Sequence, residues 1–257
     1  MTYGICNNSA IALRKEARHA SEMVSQLLYN ETYTVLDKSQ EWVLVRTENR
    51  AFCDGPSTLR QAQGSGTYAY EGWIQAKQFH EIGEETFLAM KAQKPHLINK
   101  AIAEFEGKFL TLGTPLYEPH PDAIEMPDTF QPETLVENAM KLLGVPYLWG
   151  GRTAFGIDCS GLTQACARMA GLALPRDASQ QVKCGELVYF LQETQPGDLA
   201  FFGDVDGLIT HVGIVMGDER IIHCSGEVRI DYLDQTGIFN KERNEHTHLL
   251  QAVKRMK

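Results

Sequence analysis

A change of periodicity near Pro196 narrows the folds open to this chain more than any other feature. Before it, apolar residues recur at helical spacing. Leu135, Ala139 and Leu142 fall on one face with Val136, Met140 and Leu143 beside them, opened by Pro132 and closed by Gly144. A second helix is predicted from Cys159, with Leu162, Ala165, Cys166 and Met169 on its apolar face and Gly171 at its end. After Pro196 the pattern is strand, at residues 199–202, 210–216, 220–224, 228–232 and 249–253. Helices followed by an antiparallel run of strands make an α+β domain, expected over residues 127–257.

The first half has a different grammar. Residues 1–80 read as short strands at 11–14, 33–36, 42–45 and 72–74, alternating β-branched and aromatic residues between polar turns, which predicts a small all-β barrel. Between the last two strands, residues 51–69 are rich in turn formers and long for a hairpin, so an inserted loop is expected there. Residues 81–126 form a connecting segment, with a short helix expected at 84–93, a strand at 109–112 and a linker from Pro115 to Pro127.

A chain of 257 residues can bury a real core in one large domain or two modest ones. Its formal net charge of −9 argues against nucleic acid or an anionic membrane as the main partner. An anionic small substrate stays possible if cations such as Arg152 or Arg176 line a site. No apolar run approaches the ~18 residues of a membrane span. The start, Met1 to Asn7, lacks the basic-then-apolar order of a leader, so a cytoplasmic location is expected, or a periplasmic or secreted one if a leader has been removed. The six cysteines (Cys6, Cys53, Cys159, Cys166, Cys184 and Cys224) have no CxxC pairing, which suits neither a zinc ribbon nor a disulfide framework. Most read as small buried hydrophobes.

Cys159 departs from that reading. Asp158-Cys159-Ser160-Gly161 sits where loop becomes helix, and the positive end of the helix dipole is expected to lower the thiol pKa. Gly161 lets another segment or a substrate come close. Downstream, residues 209–224 read as a hairpin turning near residues 217–219. Without a bulge, His211 and His223 project from the same face of adjacent strands, close enough to hydrogen-bond. One ring can then take the cysteine proton while the other fixes its tautomer. A metal site made of Cys159, His211 and His223 has the right ligand types but no clear fourth ligand and no short-range ligand pair. His246 and His248 lie outside these motifs and read as neutral controls.

The segments Pro146-Tyr147-Leu148-Trp149-Gly150-Gly151, Asp158-Cys159-Ser160-Gly161, Leu174-Pro175-Arg176-Asp177-Ala178, Gln195-Pro196-Gly197-Asp198-Leu199, Thr210-His211-Val212-Gly213-Ile214 and Ile222-His223 occur in this order. The series resembles the NlpC/P60 family of papain-like cysteine peptidases over roughly residues 130–257. The first half resembles a bacterial SH3 (SH3b) domain, through Ser21-Glu22, Trp42 and Tyr70-Glu71-Gly72-Trp73-Ile74. Together they resemble γ-D-glutamyl-L-diamino acid endopeptidases.

The resemblance implies Cys159 as nucleophile, His211 as base, His223 as its orienting partner and Tyr147 as an oxyanion donor beside the Cys159 backbone N–H. It also implies a substrate ammonium held by Asp177 with Glu22 and Tyr70 from the barrel, Glu31 being the alternative carboxylate, and Ser160 and Arg152 lining the site. Ala178 stands where the family often has serine, which puts one contact to the substrate's carboxylate in doubt. The long 51–69 loop is expected to reshape one wall of the cleft. No cofactor and no metal are implied. The expected partners are murein tri- and tetrapeptides of the L-Ala-γ-D-Glu-diamino acid type, rather than nucleic acid or membrane. The rivals are a hydrolase of intact peptidoglycan anchored by its SH3b domain, and a non-catalytic wall-binding protein.

Overall fold

The computed structural model describes residues 1–50 and 67–257. The segment expected to be an inserted loop lies outside these residues except for its last few, which belong to a strand.

Seven strands make the N-terminal sheet: β1 (Thr2–Ile5), β2 (Ala10–Arg14), β3 (Met23–Leu28), β4 (Thr32–Lys38), β5 (Trp42–Arg50), β6 (Thr67–Gln75) and β7 (His80–Ile82). Their order is β3-β2-β6-β5-β4-β1-β7. Alternation along the strands points Ile11, Leu13, Leu27, Val43, Val45 and Ile74 inward to a small core closed by Tyr33. Strands β1, β3 and β7 escaped the sequence reading. Each is short or mixes polar residues into its buried face, as Ser25 does in β3.

The connecting segment is more structured than a linker. After α1 (Glu84–Ala92) come β8 (His96–Ile98), β9 (Ile102–Phe105), β10 (Lys108–Thr111), β11 (Pro115–Leu116) and β12 (Ala123–Glu125). Strands β9 and β10 pair, and β8 is flanked by β11 and β12. Strands β11 and β12 occupy the stretch expected to be an irregular linker. Each has only two or three residues, too few for a visible period.

The C-terminal half opens with α2 (Thr134–Met140), the small hairpin β13 (Arg152–Thr153) and β14 (Gly156–Ile157), α3 (Cys159–Met169) and α4 (Ala178–Gln181). Strands β15 (Glu186–Val188), β16 (Leu199–Gly203), β17 (Ile209–Gly217), β18 (Arg220–Ser225), β19 (Glu227–Leu233), β20 (Gly237–Asn240) and β21 (Glu245–Arg255) follow. Their order is β15-β21-β16-β17-β18-β19-β20, and β20 also pairs with β21. The sheet therefore closes on itself into a barrel.

Its two faces bury different cores. Ala200, Phe202, Val215, Ile221, Leu233 and Ile238 fill the inside. Leu199, Phe201, Val212, Ile214 and Ile222 face the helices. Of the α2 stripe, Leu135, Ala139 and Leu142 are buried, while Met140 and Leu143 are exposed.

Candidate functional site

Asp158 organises the loop that presents the thiol. As the N-cap of α3, its Oδ1 accepts the Gly161 N–H at 2.7 Å, and its Oδ2 accepts the Gly150 N–H at 2.9 Å. Arg176 grips the same carboxylate with Nη1 at 3.0 Å and Nη2 at 2.6 Å, and its Nε donates to Ser25 of the first barrel. Ser160 donates its hydroxyl to Asp158 and receives Arg176 Nη1, so its side chain is spent on this frame. A Cβ on Gly161 would collide with the Gly151 carbonyl, so the glycine serves the close approach of a chain segment.

Cys159 is 6% exposed, and the backbone amides of Ser160 and Val212 hydrogen-bond toward its sulfur. The second of these puts the thiol next to His211, the residue before Val212 on β17. The expected lowering of the thiol pKa does not occur in the free protein. Burial first, and the Asp158 charge second, push it up to about 12, against the two amides and Arg176. Burial, then His223 and His248, hold His211 well below the ordinary histidine value. Both shifts favour the uncharged forms, a neutral thiol and a neutral imidazole.

The two histidines meet by a route the sequence reading did not foresee. Asp218 and Glu219 both have positive φ (49° and 55°), as a two-residue hairpin turn between Gly217 and Arg220 requires. That register alone would send His211 and His223 to opposite faces. A bulge at Met216 restores the parity, so that His223 sits opposite Gly213, two residues from His211 on the same face. The expectation of a bulge-free hairpin is thus corrected, while the contact itself is present: His211 Nε2 lies 2.9 Å from His223 Nδ1.

Asp231 on β19 completes the series and was missed. Its Oδ2 accepts from His223 Nε2 at 3.0 Å and from Arg229 Nε at 2.7 Å. Burial would raise its pKa, but these two partners hold it below the ordinary carboxylate value. The tautomers follow. A carboxylate only accepts, so His223 carries its proton on Nε2 and accepts at Nδ1. His211 must then donate from Nε2, which leaves its Nδ1 as an acceptor. His223 has both nitrogens engaged and none to offer a metal. The missed signal was an acidic residue at an inward position of β19, beyond the turn at Gly226.

His223→Ala is expected to lower kcat by about 10²-fold or more with KM nearly unchanged. Asp231→Asn should act likewise, because an amide N–H would turn both rings to the wrong tautomer. His246→Ala should leave kcat unchanged. Steady-state kinetics on folded variants check this, and an unimpaired Asp231→Asn enzyme would contradict it. His246 remains a sound control, bonded to Asp234 on the surface. His248 is not a control: its ring stacks on His211 with centroids 4.2 Å apart.

The remaining candidates divide. Tyr147 is half-buried, and its pKa is raised by burial first and by Cys159 second, so its phenol stays a donor near the sulfur. Tyr70 donates to Asp177 Oδ1 at 3.3 Å, joining the first barrel to the start of α4. Asp177 is raised above the ordinary carboxylate value, mainly by burial, with Arg176 and Tyr70 opposing. Glu22 accepts from Trp149 Nε1 at 2.8 Å. Arg152 and Glu31 are bound to each other through two hydrogen bonds of 2.8 and 2.9 Å, and Arg168 adds a third at 2.8 Å. Both therefore belong to the junction between the halves, with their charges already paired. Arg176 likewise offers no open cation. A cavity of about 430 Å³ at this junction is lined by Glu31, Arg168 and Tyr117, away from the thiol. Cys6, Cys166 and Cys224 are buried free thiols, and Cys184 is disulfide-bonded.

A thiol at a helix start, bonded by the amide that follows a relay histidine on a closed antiparallel sheet, is the arrangement of the papain-like class of thiol hydrolases. Residues 144–246 match the family model described as "NlpC/P60 family", and residues 13–49 match "Bacterial dipeptidyl-peptidase Sh3 domain". Residues 144–246 are thus an NlpC/P60 domain, and they follow a bacterial SH3 domain.

Among curated proteins, the chain is 40% identical over 93 residues to a gamma-D-glutamyl-L-lysine dipeptidyl-peptidase of Bacillus subtilis, covering 35% of this chain and 31% of that protein. It is 26% identical over 238 residues to the Bacillus cereus protein of the same name, covering 80% and 68%. A crystal structure of an NlpC/P60 family protein from Bacillus cereus superposes with a TM-score of 0.73 at 22% identity, covering 98% of this chain and 99% of that one, which shows a shared fold.

Proposed function

We propose that this chain is an endopeptidase that hydrolyses the γ-D-glutamyl-L-diamino acid bond of free cell-wall peptides beginning with L-alanine. The names of the two Bacillus relatives support the bond. The observation that carries the substrate's end is the Tyr70–Asp177 contact. It brings a phenol of the SH3 barrel onto a carboxylate one residue from Arg176, whose partner Asp158 precedes the thiol. The exposed Trp149 donates to Glu22 of the barrel, a second contact across the junction.

Cys159 attacks the γ-carbonyl while His211 Nδ1 takes its proton. The oxyanion is met by the Cys159 amide and Tyr147, and the imidazolium is stabilised through His223 to Asp231. His211 then protonates the leaving amine, and water, activated by the same ring, releases the acyl group from the thioester. Asp177 suits the substrate ammonium because burial penalises its negative charge and an added cation would relieve that penalty. A closed end of this kind admits a free amine and rejects an extension beyond alanine.

Acetylating the alanine removes the charge and adds bulk, so kcat/KM should fall by about 30- to 1,000-fold, corresponding to about 2–4 kcal/mol. Asp177→Asn should lower the rate on the free amine and narrow that ratio. The measurement is kcat/KM on L-Ala-γ-D-Glu-L-lysine and its N-acetyl form, repeated with diaminopimelate as third residue. Equal rates on free and acetylated peptides would return the barrel to an anchoring role.

A further inference from the structure

We propose that His248 is a positioning residue of the histidine relay, whose ring covers the His211–His223 hydrogen bond and holds the base in plane. The inference rests on reading Cys159 and His211 as nucleophile and base. The His248 ring lies 4.2 Å from that of His211, tilted by 28°, and meets His223 edge-on at 5.7 Å and 80°. Phe202 closes a further side at 6.2 Å. His211 and His223 are 6% and 1% exposed, while His248 is half-buried, so His248 stands between the pair and solvent.

Backbone geometry is arranged to put it there. On a regular strand His246 and His248 would share a face. A bulge at Thr247 separates them, pairing His246 with Phe239 and His248 with Ile238, a residue of the inner core. Gly237 at φ 146° permits this, because a Cβ there would strike the His248 carbonyl. Thr247 Oγ1 lies 2.8 Å from His248 Nδ1 and fixes the ring's rotation.

The cover has two physical effects. Excluding water from the His211–His223 bond strengthens it and restricts the base to the orientation that points Nδ1 at the thiol. When His211 takes the proton it becomes a cation against a neutral aromatic ring, a favourable arrangement. Burial first, and His223 second, push His248 down to about 4, which favours its neutral ring.

Because the role needs a flat apolar face rather than a titrating nitrogen, phenylalanine should replace it and leucine, which fills space without stacking, should not. The variants His248→Leu, His248→Phe and the control His246→Ala are compared by kcat and KM on the tripeptide. They are also compared by the rate at which iodoacetamide alkylates Cys159, which needs no peptide. Leucine should lower kcat and alkylation each by about tenfold or more with KM changed less than about twofold, and phenylalanine should restore both to within about threefold. A leucine variant with both rates unchanged overturns the proposal. So does a phenylalanine variant as slow as leucine, which would assign the effect to the imidazole nitrogens. Slowed alkylation in the leucine variant, restored by phenylalanine, upholds the positioning role even if the tripeptide is not cleaved, which would count against the substrate alone.

Discussion

Cys159→Ala should abolish turnover, by about 10⁴-fold or more, with secondary structure and melting behaviour retained. The residue contributes little to packing that alanine would not keep, and its neighbours Asp158, Arg176 and Ser160 hold the loop without it. Alkylation supplies the companion result. Cys6, Cys166 and Cys224 are 0% exposed and Cys159 is 6% exposed, so only Cys159 among these free thiols offers iodoacetamide an approach. With burial raising the thiol to about 12, its reactivity near neutral pH depends on His211 accepting the proton. His211→Ala should therefore move the alkylation profile toward alkaline pH. Equal labelling of Cys159 and Cys224 by mass spectrometry would contradict this account.

The second large effect concerns stability. Glu31 leaves the first barrel at the turn after β3 and receives Arg152 through two bonds, Arg168 through one and the Leu28 N–H at 2.9 Å. Removing it strands two largely buried guanidinium groups. Glu31→Ala should cost about 3–5 kcal/mol, read by chemical denaturation as loss of the junction between the two halves. Burial would raise the Glu31 pKa, but Arg152 and Arg168 more than offset it and hold the carboxyl at about 2.

A folded pKa below the unfolded one contributes stability above the ordinary value, here 4.5, and loses it as pH falls toward about 2. The stability gap between wild type and Glu31→Gln should therefore be full at neutral pH and shrink across that window. A gap independent of pH down to about 3 would show that the charge is not what matters.

What could be read from the sequence followed from local pattern. The cysteine at the start of α3, the strands around His211 and His223, and the buried stripe of Leu135, Ala139 and Leu142 rest on periods of 2 and 3.6. What could not be read depended on register. The bulge at Met216 decides which face His223 shares, and the bulge at Thr247 turns His248 inward and His246 outward. A single inserted residue leaves no compositional mark. Asp231 needed the register across the Gly226 turn, and the pairing of Arg152 with Glu31 spans 121 residues. The amides of Ser160 and Val212 lower the Cys159 pKa, but burial, a tertiary quantity, outweighs them.

The central claim is that Cys159 carries the acyl group of a γ-D-glutamyl peptide as a thioester. Acid-quenched mixtures of enzyme and L-Ala-γ-D-Glu-L-diamino acid tripeptide, digested and sequenced by mass spectrometry, test it directly. The account predicts an L-Ala-γ-D-Glu acyl adduct on Cys159 that appears before free dipeptide accumulates and is absent in Cys159→Ala. Hydrolysis by the alanine variant, or an acyl adduct on any other residue, would contradict it.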